Sequence, residues 1–432
     1  MPASPDYRRR IIDDELDDYL QAASQVTVAV ALEGARAIGK TSTTGERAAT
    51  RYDLDDDTQL AVFEADVGRA LAQPAPVLID EWQHYPPVWD RVRRAVDDHD
   101  PHGPFLLTGS VAPKGTGVHT GAGRIVAMRM RPLSLAERWP DVATVSLREL
   151  LEGRRPPVAG VSPFVLEDYT EELFKSGFPG LRDLPVRLRR AQLDSYLERI
   201  IDKDFPELGH QPRNPAALRR WMLAYAAATA TSASWEKVRD AATGGESEKP
   251  ARTTVMPYRD VLERLYVLDP LPGWKPTRNH VARLTEPPKH HLADPALATT
   301  LLGLDSGRLL AGEEPGIALP RDGTFLGALF ESLVTQSVRV YAQSAEARVG
   351  HLRTFAGERE IDVIVERGDG RVLAMEVKLR PVPSDKDVAH LRWLREQIED
   401  DLLDAVVVTT GPEAYRRPED GIAVVPAALL RP

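Results

Sequence analysis

Short apolar runs that end in glycine or in polar residues recur along the beginning of the chain. They are QVTVAVALEG at 25–34, PVLIDEWQ at 76–83 and PFLLTGS at 104–110. Such runs, bounded by turn residues, are typical of strands buried in a parallel sheet. A helix-like stretch at 87–100 separates the last two runs and gives the strand–helix–strand order of an α/β domain. We therefore predict a parallel α/β sheet here.

Helical patterns dominate the middle of the chain, and a mixed pattern follows. An acidic helix is predicted over 7–25, and helical stretches cover 187–205, 218–241 and 255–268, the last of which leads to LPGWKP at 271–276. Helices that end in a small β-turn element favour a winged helix, with a plain helical bundle as the alternative. After a helix at 325–343, strand candidates lie at 352–357, 360–367, 371–380, 405–411 and 422–426, with a helix at about 385–401. We predict a second α/β region there.

Composition and charge narrow the class of protein. Hydrophobic residues make up 42% and charged residues 28% of the chain, which is the balance of a globular protein. The absence of cysteine excludes disulfides, thiolate catalysis and cysteine-ligated metals. The apolar runs fall short of the roughly 20 residues that span a bilayer, and the first residues lack the apolar region of a secretory signal. We expect a cytoplasmic protein without a membrane segment. A net charge of −10 argues against a generally basic nucleic-acid binder but leaves a local basic face, and so DNA or RNA, open.

The strongest motif is GARAIGKT at 34–41, which follows a predicted buried strand and fits the P-loop pattern. In a P-loop the backbone N–H groups surround phosphates, the lysine contacts the β- and γ-phosphates, and the hydroxyl binds Mg²⁺. The predicted ligands are ATP and Mg²⁺. The alternative is an ordinary glycine turn with a solvated lysine. The predicted nucleotide-binding residues are Gly34, Ala35, Arg36, Ala37, Ile38, Gly39, Lys40, Thr41 and Ser42, with Thr41 also a metal ligand.

Two carboxylates end the next apolar run and could complete a nucleotide-hydrolysing site. Asp80 is expected to hold Mg²⁺, and Glu81 is expected to orient or activate the attacking water. The run at 106–110 ends in Thr108 and Ser110, which in a parallel sheet would emerge at the same edge, and either could contact the γ-phosphate. The alternative is that all of these are simply polar strand ends.

A glycine-rich segment at 111–123 is expected to be a mobile surface loop, and Arg124 follows it. We predict that Arg124 stabilises the transferring phosphoryl group, either within its own chain or across the boundary of a homo-oligomer. Arg129 and Arg131 are competing candidates, and most arginines are solvated surface residues.

A second group of charged residues lies within EIDVIVERGDGRVLAMEVK at 360–378. Neighbouring strands would bring Asp362 close to Glu376 and Lys378, because residues two apart on a strand share a face. Glu331, on the preceding helix, could add a ligand. Two carboxylates with a lysine suit metal-assisted phosphodiester hydrolysis, and a hairpin with an exposed polar face is the equally weighted alternative.

The remaining histidines and aromatic residues suggest packing rather than chemistry. His290 and His291 lack a ligand partner at metal-binding spacing and are expected to be surface or packing residues. Trp221, Tyr225 and Trp235 are expected to be core residues, with base stacking as the less favoured use.

Taken in order, these motifs resemble a family of bacterial and archaeal ATPases that join an AAA-like P-loop domain to a C-terminal domain of unknown function. The family often has a proline where this chain has Ala35, a change that does not touch the phosphate-binding roles. The family's C-terminal region looks like a PD-(D/E)XK nuclease fold, which implies Asp362 as its acidic residue and Glu376 and Lys378 as its E-x-K pair. The resemblance rests on YRRRIIDDELDDYL, LEGARAIGKT, VLIDEWQHYP, LLTGS, GAGRI, PLSLAE, KSGFPG, YLERIIDKDF, PKHHLADPALATTLLG, FLGALFESLV and REIDVIV…AMEVK.

The resemblance implies five segments and an activity. The segments are an AAA-like P-loop ATPase domain at 1–142, a helical lid-like segment at 143–210, a winged-helix-like domain at 211–275, a connecting segment at 276–324 and a PD-(D/E)XK nuclease-like domain at 325–432. The expected reaction is hydrolysis of ATP to ADP and phosphate, which would drive or gate the other domains. Two alternatives remain: a DNA or RNA nuclease regulated by ATP, and a non-cleaving switch that only binds nucleic acid or protein.

Overall fold

Two compact units, each with its own sheet, make up the fold. The computed structural model describes residues 7–22, 28–99, 102–111, 123–210, 214–243, 252–276, 286–312, 314, 316, 324–354 and 357–432. The first unit comprises Met1–Arg131 with Arg264–Tyr266, and the second comprises Pro132–Glu263 with Val267–Pro432. Among the described residues, no helix has both the length and the apolar character needed to cross a membrane.

A five-stranded parallel sheet forms the centre of the first unit, in the order β2-β3-β4-β1-β5. Its strands are β1 (Ala29–Glu33), β2 (Thr50–Asp53), β3 (Val77–Asp80), β4 (Phe105–Gly109) and β5 (Ile125–Arg129). Its helices are α1 (Ile12–Ala22), α2 (Lys40–Gly45), α3 (Asp57–Ala65), α4 (Val67–Leu71) and α5 (Pro87–Asp97). The predicted parallel α/β architecture is confirmed, and the carboxyl ends of the strands share one edge.

Apolar residues on one face of this sheet pack against helices and hold it in place. The inward positions of β1, β3 and β4 join Phe63, Trp82 and Trp89 in one buried cluster. Trp82 and Trp89 contact each other with ring centroids 4.8 Å apart. Truncating a buried aromatic such as Phe63 to alanine typically costs about 3–5 kcal/mol of folding free energy, so this cluster fixes the strands that end in polar residues.

Helices dominate the first half of the second unit and also lie between the strands of its second half. They are α6 (Leu135–Arg138), α7 (Leu147–Leu151), α8 (Leu166–Lys175), α9 (Val186–Arg199), α10 (Phe205–Glu207), α11 (Pro215–Ala227), α12 (Trp235–Ala242), α13 (Arg252–Arg264), α14 (Pro295–Leu301), α15 (Ser306–Leu310), α16 (Phe325–Ser344) and α17 (Ala389–Ile398). A π-helical turn, Ile200–Asp204, continues α9. The helical middle region is therefore present.

A mixed seven-stranded sheet follows, in the order β7-β12-β13-β11-β10-β9-β8. Its strands are β7 (Gly160–Val161), β8 (Arg348–Arg353), β9 (Glu360–Glu366), β10 (Val372–Val377), β11 (Leu402–Thr409), β12 (Glu413–Arg416) and β13 (Ala423–Pro426). The central pairs β10–β11 and β11–β13 are parallel, whereas β8–β9 and β9–β10 are antiparallel. Two short strands, β6 (Val145–Ser146) and β14 (Leu430–Arg431), pair separately. The C-terminal part is thus a sheet domain with mixed topology.

Several helix predictions differ from the structure in their bounds, and one predicted helix is divided in two. The helix predicted over 7–25 spans Ile12–Ala22, and the one predicted at about 385–401 spans Ala389–Ile398. The stretch at 218–241 is two helices, α11 and α12, separated by residues 228–234. Ala230 there has a left-handed backbone with φ of 56°, and the Ser234 side chain caps α12 by accepting from the Lys237 amide. Serine and threonine in this linker compete for backbone hydrogen bonds and so interrupt the helix.

Candidate functional site

Backbone geometry forces the shape of the loop between β1 and α2. Gly34 has φ of 155°, and a Cβ atom there would lie 2.4 Å from the Met130 carbonyl oxygen and 2.6 Å from Ile38 Cδ1. Gly39 has φ of 98° and immediately precedes Lys40, where α2 begins. Both motif glycines therefore stand where an L side chain would clash or be strained, and the loop leads from the sheet edge into a helix N-terminus.

Lys40 lies inside this loop. Its Nζ atom donates to the Gly34 carbonyl at 2.9 Å and to the Ala35 carbonyl at 2.8 Å, and only 5% of the residue is exposed. Burial lowers the pKa of Lys40 to about 8, against the opposing charges of Glu81 and Asp80. The ammonium group is therefore already placed within the loop, with few water contacts to lose on meeting an anion.

Asp80 connects three neighbouring elements at the carboxyl edge of the sheet. Its Oδ1 atom accepts hydrogen bonds from Thr41 at 2.9 Å and from Thr108, and its Oδ2 atom accepts from Arg51 at 3.1 Å. Burial raises the pKa of Asp80, although these partners favour its ionised form. A carboxylate and a threonine hydroxyl this close are the oxygen donors that Mg²⁺ prefers, so the residues fit a metal held jointly with phosphates.

Glu81 is held beside this group by two polar side chains. Ser110 donates to its Oε2 atom at 3.0 Å, and Gln83 Nε2 donates to the same oxygen. Glu81 has a left-handed backbone with φ of 51°, a conformation that typically costs 1–3 kcal/mol in a residue other than glycine. The structure therefore brings Lys40, Thr41, Asp80, Glu81, Thr108 and Ser110 together at one edge of the sheet.

Strand register places Arg124 at the opposite edge. In the parallel pair of β1 and β5, Ala29 lies beside Ile125 and Glu33 lies beside Arg129. Arg124 precedes Ile125, so about five strand residues, or roughly 16 Å, separate its level from that of the loop. Its Nε atom contacts Asp97 Oδ1 at 2.7 Å. This position excludes Arg124 from the loop of its own chain, while action across a subunit boundary stays a prediction. The segment 112–122 of the predicted glycine-rich loop lies outside the described residues.

Arg129, one of the two competing candidates, lies at the carboxyl edge of the sheet, beside Glu33. Its guanidinium stacks over the Tyr266 ring, 3.9 Å from the ring centroid, and its charge contributes to the lowered pKa of Lys40. The Tyr266 hydroxyl donates to Glu33 Oε2 at 2.5 Å. No local sequence pattern points to Tyr266, because it lies far along the chain from β1.

Arg10 supports the loop from the N-terminal segment, and the sequence reasoning did not single it out. Its guanidinium donates to the Ile38 carbonyl at 3.0 Å and to the Arg131 carbonyl at 2.9 Å. Only 5% of Arg10 is exposed. Three arginines stand side by side at 8–10, and nothing in the local sequence distinguishes the member that is buried. Arg131 itself therefore contributes its carbonyl to this contact.

The C-terminal group predicted from strand spacing also converges. Lys378 Nζ lies 2.6 Å from Glu376 Oε2 and 3.6 Å from Asp362 Oδ2. The Val377 amide donates to Asp362 Oδ2 at 2.9 Å. Burial and the Asp362 charge raise the pKa of Glu376 well above its usual value.

A residue that the sequence reasoning missed, Lys289, joins this group. Its Nζ atom lies 2.8 Å from Glu331 Oε1, 2.9 Å from Glu360 Oε1 and 3.0 Å from Asp362 Oδ1. Burial opposes ionisation of Asp362, but the ammonium groups of Lys289 and Lys378 hold its pKa well below the usual range. Burial and the Asp362 charge raise the pKa of Glu331 to about 8. We call Glu331, Glu360, Asp362, Glu376, Lys289 and Lys378 the C-terminal cluster.

The neighbouring histidines, Trp221 and Tyr225 pack in the interior, and Trp235 is half-buried. His290 and His291 are 0% and 3% exposed, and burial lowers the pKa of His290 to about 4. Trp221 and Tyr225 are buried with ring centroids 5.5 Å apart, and Trp235 stacks 5.9 Å from Tyr225. These groups therefore serve packing within the described part of the chain.

Comparison with known proteins agrees with a P-loop ATPase domain in the first unit. Residues 27–139 match the family described as an AAA domain, which supports an ATPase. Residues 166–308 and 326–430 match two families described as domains of unknown function, DUF8612 and DUF4143 respectively. The pairing of an AAA domain with DUF4143 supports an ATPase family.

Among solved structures, the Walker-type ATPase PABY2304 of Pyrococcus abyssi matches at 16% sequence identity and a TM-score of 0.39, covering 68% of this chain and 96% of that one. No curated protein matches the chain.

Proposed function

We propose that the first unit binds ATP with Mg²⁺ and hydrolyses it to ADP and phosphate. The observation that carries this proposal is the meeting of Lys40, Thr41 and Asp80 at the edge where parallel strands end. The backbone amides of residues 34–42 would surround the phosphates, and Lys40 would contact the β- and γ-phosphates. Thr41 and Asp80 would hold Mg²⁺, which when bound neutralises charge on the phosphate oxygens.

Glu81 is the proposed base of this reaction. Its carboxylate is oriented by Ser110 and Gln83, so it can receive a proton from a water aligned with the γ-phosphate. The Thr108 hydroxyl donates to Asp80, and it would contact the γ-phosphate next to the metal. We propose that the cycle of binding and hydrolysis gates the middle and C-terminal regions.

Binding of ATP to two lysine variants tests the nucleotide site. In calorimetric titrations with Mg²⁺, Lys40→Ala should lose ATP binding, because the phosphates lose a buried cation. Lys203→Ala removes a lysine whose side chain is 54% exposed, and it should bind as the natural chain does. Equal affinity in both variants would contradict the assignment.

The second candidate function is action on DNA or RNA by the rest of the chain. Helices α11, α12 and α13 are followed by the isolated bridges Leu268–Leu292 and Leu271–Lys289, which supports the winged-helix-like segment at 211–275. The short distances from Lys378 to Glu376 and Asp362 support a nuclease-like arrangement of these three side chains. The five-segment division stays a prediction.

Two forms of this second function remain, metal-dependent cleavage and binding without cleavage. Fluorescence anisotropy with labelled DNA and RNA at two salt concentrations measures binding, which should weaken at high salt if phosphates are contacted. Gel analysis of DNA and RNA with Mn²⁺ measures cleavage, which Asp362→Ala should abolish while leaving ATP hydrolysis intact. Absence of both binding and cleavage would contradict this candidate and leave the ATPase proposal standing.

A further inference from the structure

The C-terminal cluster contains a protein cation at the point where its carboxylates meet. Lys289 Nζ lies within 3.0 Å of oxygens from Glu331, Glu360 and Asp362, which come from α16 and β9. A divalent metal shared by these three oxygens would need to lie about 2.0–2.6 Å from each. The ammonium and a metal therefore compete for one position.

Lys289 is fixed at that position by its backbone as well as by its charge. Its amide donates to the Leu271 carbonyl at 2.9 Å, and the Leu271 amide donates to the Lys289 carbonyl at 2.9 Å. Only 1% of the residue is exposed. A lysine tied by two backbone hydrogen bonds and three carboxylate contacts is unlike a mobile surface lysine, because moving its ammonium away would remove the cation that lies within 3.0 Å of Glu331, Glu360 and Asp362.

The other charges of the cluster are also matched within the protein. Lys378 contacts Glu376 at 2.6 Å and Asp362 at 3.6 Å, and Arg353 contacts Glu360 at 3.4 Å. Among the residues that the structure describes, no group of three or more His, Cys, Asp or Glu side chains is arranged to hold a metal ion. The metal implied by a nuclease-like fold does not fit this arrangement.

We propose that Lys289 is the resident cation of the C-terminal cluster and takes the place of a divalent metal. The cluster then binds no Mg²⁺ or Mn²⁺ while Lys289 occupies it. What this means for nucleic acid rests on the second proposed function. With Lys289 in place, the chain would bind DNA or RNA without metal-dependent cleavage. Exclusion of a metal from the cluster does not depend on that second function.

Titration with Mn²⁺, followed by electron paramagnetic resonance, tests the proposal directly. All proteins in this experiment carry Asp80→Asn, which removes the proposed metal ligand of the nucleotide site. The chain with Lys289 should bind no Mn²⁺ at this cluster. Lys289→Met keeps a long side chain but removes the charge. It should create one Mn²⁺ site whose affinity is at least tenfold higher than that of any Mn²⁺ binding by the parent chain. Lys386→Met removes an exposed lysine and should behave as the parent does.

Two results would overturn the proposal. One is a Mn²⁺ site in the parent chain that disappears on Asp362→Asn. The other is a folded Lys289→Met chain, shown by unchanged circular dichroism, that gains no site. If Lys289→Met does not fold, Lys289→Met with Glu360→Gln removes one negative charge as well and carries the same expectation. DNA or RNA binding is measured separately, so failure of the second function does not alter the metal result.

Discussion

The affinity for ATP should fall as the pH rises past about 8. Lys40 is buried, and its burial lowers its pKa to about 8 before nucleotide arrives. Phosphates bind the ammonium form of Lys40. The affinity for ATP is therefore highest well below that pKa, and above it binding requires Lys40 to take up a proton. Raising the pH should therefore weaken ATP binding. An exposed lysine with an ordinary pKa of about 10.4 would give no change in this range.

The size of the effect follows from the fraction of Lys40 that is protonated. With a pKa of about 8, roughly nine-tenths of the free protein carries the ammonium at pH 7 and roughly one-tenth at pH 9. The apparent Kd for ATP should therefore rise about tenfold between these values, which is about 1.4 kcal/mol. Most of the rise falls above pH 8.

Isothermal titration of ATP at saturating Mg²⁺, at several pH values, measures this change. Lys40→Arg is the matched control, because a guanidinium stays charged throughout and its binding should not fall with pH. An affinity of the natural chain that is flat or rising from pH 7 to pH 9 would refute the reasoning about Lys40.

Three further predictions concern Glu81, Arg124 and Arg416. Glu81→Gln should keep ATP binding but slow turnover by about 10²–10⁴-fold, since an amide cannot take the proton, and phosphate release at saturating ATP measures it. Mixing Arg124→Ala with Lys40→Ala protein should restore some ATPase activity if Arg124 acts across a subunit boundary; no recovery, with a monomeric mass in ATP, counts against it. Arg416→Met should lower the free energy of unfolding by about 3–5 kcal/mol in urea titrations, because Asp404, whose side chain is 0% exposed, loses its ion pair at 2.6 Å.

The stability prediction has a matched control on the surface. Arg371, whose side chain is 44% exposed, pairs with the exposed Asp369 at 2.8 Å. Arg371→Met should change stability by less than about 1 kcal/mol, because exposed ion pairs contribute little. Similar losses for Arg371→Met and Arg416→Met would show that burial of the pair is not what matters.

Local patterns predicted the nucleotide loop well because all of its determinants are neighbours in sequence. Gly34, Gly39 and Lys40 lie within one turn whose conformation depends on the glycines themselves. The apolar runs likewise predicted β1, β3 and β4, since burial on both faces of a parallel sheet requires nearly continuous apolar residues.

Long-range packing could not be predicted in the same way. Lys289 is 73 residues from Asp362 and 42 residues from Glu331. No local pattern around Lys289 links it to these carboxylates. The position of Arg124 depends on β5 pairing in parallel with β1, which the chain order does not reveal. The break between α11 and α12 depends on a left-handed residue, Ala230, that is not glycine.

The most direct test of the account is the rate of phosphate release from ATP by the purified chain with Mg²⁺. We expect steady turnover by the natural chain and its loss in both Lys40→Ala and Glu81→Gln. Of these two variants, only Glu81→Gln should still bind ATP. Absence of turnover by the natural chain with ATP and Mg²⁺ would contradict the proposed ATPase activity. Turnover by Lys40→Ala at the natural rate would contradict the proposed role of Lys40.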